Sequence, residues 1–235
     1  MFELLKKMLV MLSLGFSAGL PYIILITTSS AWLKDAGVSL SYIGFFAWLT
    51  LAYAIKFLWA PLVDRFSIPF FKRYGQRKSW ILTTQLIILS SIFILSLLNP
   101  QFNFNIFCLV ALIIAVAGSF QDIAIDAFRI EYAKISDQGN LAAAYQLGYR
   151  LAIVTAASFG LIFADFYGWS LTYKVLSISM LFGIVGAIFS KEIVNKELGR
   201  LTFSSSIIEP FKDFYSRFGL YMASILLLII ATYRL

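Results

Sequence analysis

Residues 104–130 read FNIFCLVALIIAVAGSFQDIAIDAFRI, and this stretch decides the fold. Residues 104–120 carry no charge and read as a membrane span, since a crossing takes about 20 apolar residues. The span then runs into two carboxylates and an arginine: Asp122, Asp126 and Arg129. Each ionised side chain at the centre of a membrane helix costs about 2.5–3.5 kcal/mol on insertion scales. The three fall at i, i+4 and i+7 on one helix face, which Ser119 and Ala115 continue as small residues. Lipid cannot solvate such a stripe, so it faces other helices or a watered cavity.

The rest of the chain agrees with a membrane protein. Of 235 residues, 60% are hydrophobic and 13% charged, with a mean hydropathy of +0.86. Soluble domains run at about 45–50% and 25%. The formal net charge is +7. The placement of the cations accounts for that excess without a nucleic-acid partner. A single cysteine, Cys108, and no histidine exclude a disulfide framework, a His/Cys metal site and a histidine proton relay. No metal or other cofactor is expected. The start, MFELLKKMLVMLSLGFSAGL, reads as a first span rather than a cleavable signal, because the apolar run continues to Trp32.

Seven spans are expected: Met8–Leu33, Ser41–Val63, Ser79–Leu98, Phe104–Phe128, Leu141–Ala164, Ser170–Phe189 and Phe218–Leu235. They divide the chain into a bundle over 1–190, a connector over 191–217 and an incomplete seventh helix over 218–235. Fourteen Lys and Arg residues fall in the segments on the N-terminal side of the membrane, whereas only Lys34 and Lys174 fall on the other. The positive-inside rule then makes the N-terminus cytoplasmic. The basic run KRYGQRK is first a topology anchor and second a patch for membrane lipid or a partner. In the connector, Ser206 and Glu209 have capping-box spacing, and Ile207, Ile208, Phe211, Phe214, Tyr215 and Phe218 recur at helical spacing. Together they suggest an interfacial amphipathic helix.

Counting along the helices at 1.5 Å per residue puts Asp122, Arg150 and Lys56 each about 12–13 Å from the cytoplasmic end of its span. Gln146 lies one turn from Arg150, and Tyr149 adjoins it. Span one reaches the same layer near Gly15 and Ser17. The plain interpretation is a salt bridge from Asp122 to Arg150 or Lys56, although buried pairs are weak sources of stability. A functional interpretation is that the cations suit an anionic ligand. In low dielectric the ionised form of a carboxylate is disfavoured, so such a group can carry a proton. A membrane enzyme fits poorly. Asp122-x-x-x-Asp126 matches only the end of the CDP-alcohol phosphotransferase motif, without its upstream Asp-Gly-x-x-Ala-Arg element. Where intramembrane aspartyl proteases need Gly-x-Gly-Asp, this chain has Ser-Phe-Gln-Asp.

APLVDRF followed by YGQRK looks like the major facilitator loop signature Gly-x-x-x-Asp-Arg-x-Gly-Arg-Arg in interrupted form. Ala60 stands at the first glycine position, and residues 67–74 intervene. Asp64 can pair there with Arg65, Arg77 or Lys78 and latch two helices. The ordered set GFSAGLPY, IGFFAW…AYAIKFLWAPLVDRF, QDIAIDAFRIE and LGYRL resembles the AmpG-type muropeptide permeases. These form a branch of the major facilitator superfamily shared with acetyl-CoA transporters.

The resemblance implies an all-α integral membrane protein built on the N-terminal six-helix bundle of that fold, with spans one and four equivalent in an inverted pair of three-helix repeats. It also implies import of anhydro-muropeptides across a bacterial inner membrane, driven by a proton gradient. Asp122, Asp126 and Gln121 become candidate proton and substrate groups, with Lys56, Arg150, Tyr149 and Gln146 as polar cavity groups. Asp64, Arg65, Arg77 and Lys78 become a cytoplasmic gate. Since the family has two such halves, the chain reads as truncated after the first, and transport by it alone is not expected. The missing half could come from a second half-transporter chain. Alternatives are a non-transporting remnant, a membrane interaction protein reusing half of the fold, or an acyl-CoA-type transporter.

Overall fold

The computed structural model describes residues 2–190 and, beyond them, Lys212, Asp213, Tyr215, Ser216, Arg217, Gly219 and Tyr221. Apart from those seven residues, the connector and the seventh span expected over 191–235 lie outside the described residues. The seven are helical, and Arg217 pairs with Asp213 at 2.9 Å.

Six apolar helices follow one another through residues 2–190, with no strand among the described residues. They are α1 (Phe2–Asp35), α3 (Gln76–Leu95), α4 (Phe104–Tyr132), α5 (Ile135–Tyr167) and α6 (Trp169–Phe189), together with a bent α2 made of Leu40–Ala54 and Lys56–Arg65. Every expected span up to Phe189 is present. Both α1 and α5 start earlier than their apolar runs, because Lys6 and Lys7, or Gln138 and Asn140, continue the helix past the hydrocarbon region. In the structure α2 is not one straight helix. It turns by 40° at Ile55 and passes through a 3-10 turn at Lys56–Leu58. Pro61 falls in the first turn of the segment Ala60–Arg65 beyond the bend, and its missing N–H leaves the Phe57 carbonyl without an i+4 partner.

The most enclosed helix is α1, with 78% of its apolar window buried against 28% for α5. It crosses α5 backbone to backbone. A side chain on Gly15 would run into the carbonyl of Tyr145, and one on Gly148 into the carbonyl of Leu12. Gly183 and Gly186 of α6 sit in the same way against Ser17 and Ser13. Small residues let helices approach this closely where no hydrophobic drive acts between them. Pro21 and a π-helical turn at Ile24–Thr28 interrupt α1, and a second π turn interrupts α5 at Val154–Phe159. The two are joined where the Thr28 hydroxyl donates to the Ala156 carbonyl at 3.0 Å.

Helix α1 packs mainly on α5 and α6, and α4 mainly on α3 and α2. Exchanging α1–α3 with α4–α6 maps one set of partners onto the other, as inverted three-helix repeats require. One end of the bundle is aromatic, with Trp32 against Phe107 (5.4 Å), Trp169 (5.9 Å) and Tyr173 (4.6 Å). The other end is cationic and gathers Lys6, Lys7, Arg77 and Lys78. There Lys7 lies 5.5 Å over the Tyr132 ring, and Lys78 donates to the Ser190 carbonyl at 2.6 Å.

Candidate functional site

The charged stripe of α4 meets α2 at its break. Lys56 is the first residue after the turn at Ile55, and its ammonium pairs with Asp122. The same nitrogen lies 3.7 Å from Oδ2 of Asp126. Asp126 is also 3.7 Å from the Arg129 guanidinium, one turn along α4. From α5, the Tyr145 hydroxyl donates to the other oxygen of Asp122 at 3.2 Å, and Arg129 lies 5.8 Å over the Tyr145 ring. Two cations and two carboxylates thus form a cluster with no net charge. It is open on one side: the Asp126 side chain is 43% exposed and that of Lys56 36%.

Above this cluster the site is lined with aromatic side chains. The buried hydroxyl of Tyr53, one turn before Lys56, has no hydrogen-bond partner among the described residues. It rests on Gly118, one turn before Asp122, where any side chain would collide with it. Tyr22 of α1 packs edge-on against Tyr53 at 5.1 Å, and Tyr149 lies 6.4 Å from Tyr145. Beside Gly118, the Trp59 indole donates to Ser119 at 3.1 Å and stacks on Phe120.

Not every expected site residue joins this group. Arg150 is exposed on α5 and forms no ion pair among the described residues. The ion pairs therefore join two helices, α2 and α4, with Lys56 as the partner of Asp122, while α5 takes part through Tyr145. Equal depth in the bilayer did not place Arg150 on the matching helix face. Gln146, one turn away, is exposed on the same side. Gln121 adjoins Asp122 in sequence but points into the bundle. Its amide and that of Gln85 both donate to the Ser17 hydroxyl, at 2.9 and 3.0 Å. This buried knot ties α1, α3 and α4 together.

A second charged cluster closes the cationic end. Arg77, with its side chain only 4% exposed, donates to Asp64 at 2.6 Å and to Glu131 at 3.0 Å. Gln76 caps the end of α2 by donating to the carbonyls of Val63 (3.0 Å) and Asp64 (2.5 Å). The starts of α3 and the ends of α2 and α4 are clamped at this point. Lys78 is directed instead at the Ile188 and Ser190 carbonyls beside α6, while Arg65 is exposed and lies over the Phe66 ring. Sequence reasoning missed Glu131 and Tyr145. Glu131 was visible two residues after Arg129 in RIEY, and Tyr145 one turn before Tyr149 in YQLGY.

The family model of the Major Facilitator Superfamily matches residues 8–233. The chain is 33% identical over 214 residues to the putative transporter AmpG 4 of Rickettsia conorii, covering 87% of this chain and 51% of that protein. It is 33% identical over 227 residues to the anhydromuropeptide permease of Escherichia coli K12, covering 96% of this chain and 45% of that protein. An uncharacterized protein of Haemophilus influenzae is 32% identical over 231 residues, covering 97% of this chain and 54% of that protein. The chain spans about half the length of the curated relatives it matches. With that match over nearly its whole length, and with the paired three-helix packing described above, this multi-pass membrane protein belongs to the Major Facilitator Superfamily.

Proposed function

We propose that this chain forms the first bundle of a proton-coupled importer of anhydro-muropeptides in a bacterial inner membrane, with its cationic end in the cytoplasm. The observation that carries this reading is the neutral cluster of Lys56, Arg129, Asp122 and Asp126 on an open face of a membrane bundle. The charge balance gives it a coupling rule. While both carboxylates are ionised, Lys56 is fully engaged and an added anion has no partner. A proton on Asp122 or Asp126 leaves the cluster with one positive charge in excess. Lys56 can then turn to a carboxylate of the ligand, so proton and anion are favoured together. Peptide-bearing sugars of the kind named for the E. coli relative carry such carboxylates.

The open side of the cluster is the face that a second six-helix bundle would cover, since this fold works by rocking two bundles around a midplane site. Asp64, Arg77 and Glu131 act as the gate at the cytoplasmic end: their ion pairs hold α2, α3 and α4 together in this conformation. The chemistry is binding and proton movement, with no covalent step. The test is equilibrium binding of radiolabelled anhydro-muropeptide to the purified chain, with and without Lys56→Gln and with acetyl-CoA as competitor. Binding that needs Lys56 and resists acetyl-CoA supports the reading. Displacement by acetyl-CoA redirects it to an acyl-CoA-type ligand, and absence of binding counts against it.

A further inference from the structure

The cationic end of the bundle carries a groove that the cluster at Lys56 does not use. It has a volume of about 520 Å³ and lies between the start of α1 and the end of α6. Its origin is local. At Ser13 and Gly186 the two helices touch so closely that a side chain on Gly186 would overlap the Ser13 hydroxyl. Towards the cationic end, Leu9 on one helix and Val185 and Phe189 on the other line the groove. These walls are apolar and face outward, with Leu9 58% and Phe189 77% exposed. The rim is polar. Lys6 and Lys7 stand at the mouth, with Lys7 held over the Tyr132 ring at 5.5 Å. Glu3, also at the mouth, lies 3.8 Å from Lys6 and offsets one of the two charges.

We infer that this groove is a binding site for one anionic phospholipid, with its phosphate at Lys6 and Lys7 and an acyl chain between α1 and α6. The charge pattern selects the occupant. The apolar walls run along two membrane-crossing helices, so they open sideways into hydrocarbon rather than into water. The two ammonium groups sit in the first turns of α1, level with the end of α4, where lipid headgroups stand. Even with Glu3 ionised, the mouth keeps a net positive charge. A zwitterionic headgroup, which adds an ammonium of its own, gains less there than phosphatidylglycerol does. Among the described residues the groove is lined by α1, α4 and α6, apart from Lys56 and Asp122, so it stands whether or not the chain transports muropeptides.

The experiment reconstitutes the full chain in vesicles of equal parts phosphatidylethanolamine and phosphatidylglycerol, extracts it gently and measures retained lipid by native mass spectrometry. The expected result is retained phosphatidylglycerol in preference to phosphatidylethanolamine, unaffected by excess inorganic phosphate. Lys6→Gln with Lys7→Gln should lower that preference about tenfold, and Val185→Trp should displace the lipid by filling the groove. Lys72→Gln with Arg73→Gln, which removes two cations elsewhere on the same end, should leave it unchanged. Thermal melts identify any variant that fails to fold, since Lys6 is exposed but Lys7 is half-buried over the Tyr132 ring. Four results would each overturn the assignment: equal retention of the two lipids, full retention by the Lys6/Lys7 variant, equal loss in the Lys72/Arg73 control, or a disulfide between two copies of a Val185→Cys, Cys108→Ala variant, showing a second copy in the groove.

Discussion

Lys56 stands directly after the break in α2 and pairs with Asp122, one helical turn below the glycine that receives the Tyr53 hydroxyl. The intramembrane cation is therefore carried by the least regular part of the bundle. Its ammonium can change partners through a small motion of the 3-10 turn at Lys56–Leu58, without displacing a straight helix.

Replacing Lys56 by Gln should leave Asp122 and Asp126 facing each other with only Arg129 nearby. The pair is partly solvated, so the expected loss is about 1–3 kcal/mol, below the range for a fully buried pair. Adding Asp122→Asn should restore most of that stability. Thermal or denaturant unfolding of the single and double variants measures the difference. A double variant no better than the single one would show that the two residues are not coupled.

The Arg77 site should respond more strongly. Its guanidinium is almost fully buried and serves two carboxylates on different helices. Arg77→Met removes the cation that pairs with both and should cost about 3–5 kcal/mol. Arg77→Lys should keep one of the two contacts and part of the stability, because an ammonium cannot reach both carboxylates as the planar fork does. Adding Glu131→Gln to Arg77→Met should recover part of the loss. Unfolding curves test all three.

At the α1–α5 crossing, Gly148→Val should prevent native packing altogether. The added carbon would overlap the Leu12 carbonyl, which belongs to a helix backbone and cannot move aside. Gly44→Ala, where nothing lies within 4 Å, serves as the control and should fold normally. Yields of monodisperse protein after extraction distinguish the two. Equal yields would show that the crossing is looser than described.

Orientation can be read by labelling single cysteines in a Cys108→Ala background. Cysteines at the exposed positions Arg73 and Ser136 should react with an impermeant reagent only from the cytoplasmic side, and one at Gln101 only from outside. The opposite pattern would invert the whole arrangement of site and gate.

Much of this was legible in the chain. The lengths of the apolar runs give the six helices, and the i, i+4, i+7 spacing gives the stripe that meets Lys56. Two things were not. Depth along a helix is a matter of residue count, but rotation about its axis depends on packing, so Arg150 and Gln146 share the layer of Asp122 and yet stand outside its cluster. Gln121 shows the same limit from the other side, since one residue step turns a side chain by about 100° and carries it into the knot with Ser17. In α2, Pro61 marks only the segment beyond the bend, and the unbroken apolar run across Ile55 masks the bend itself. The double partnership of Arg77 needed the end of α4 to arrive beside the start of α3, which no local pattern encodes.

In the proposed function, the neutral cluster at Lys56 takes up a proton and an anionic ligand together. The most direct test is calorimetric titration of the purified chain with anhydro-muropeptide, repeated in buffers of different ionisation enthalpy to count protons. The expected result is uptake of about one proton per ligand bound, with the uptake lost on Asp122→Asn combined with Asp126→Asn, and with ligand binding lost on Lys56→Gln. Ligand binding with no proton uptake, or with the same uptake after both carboxylates are neutralised, would contradict it.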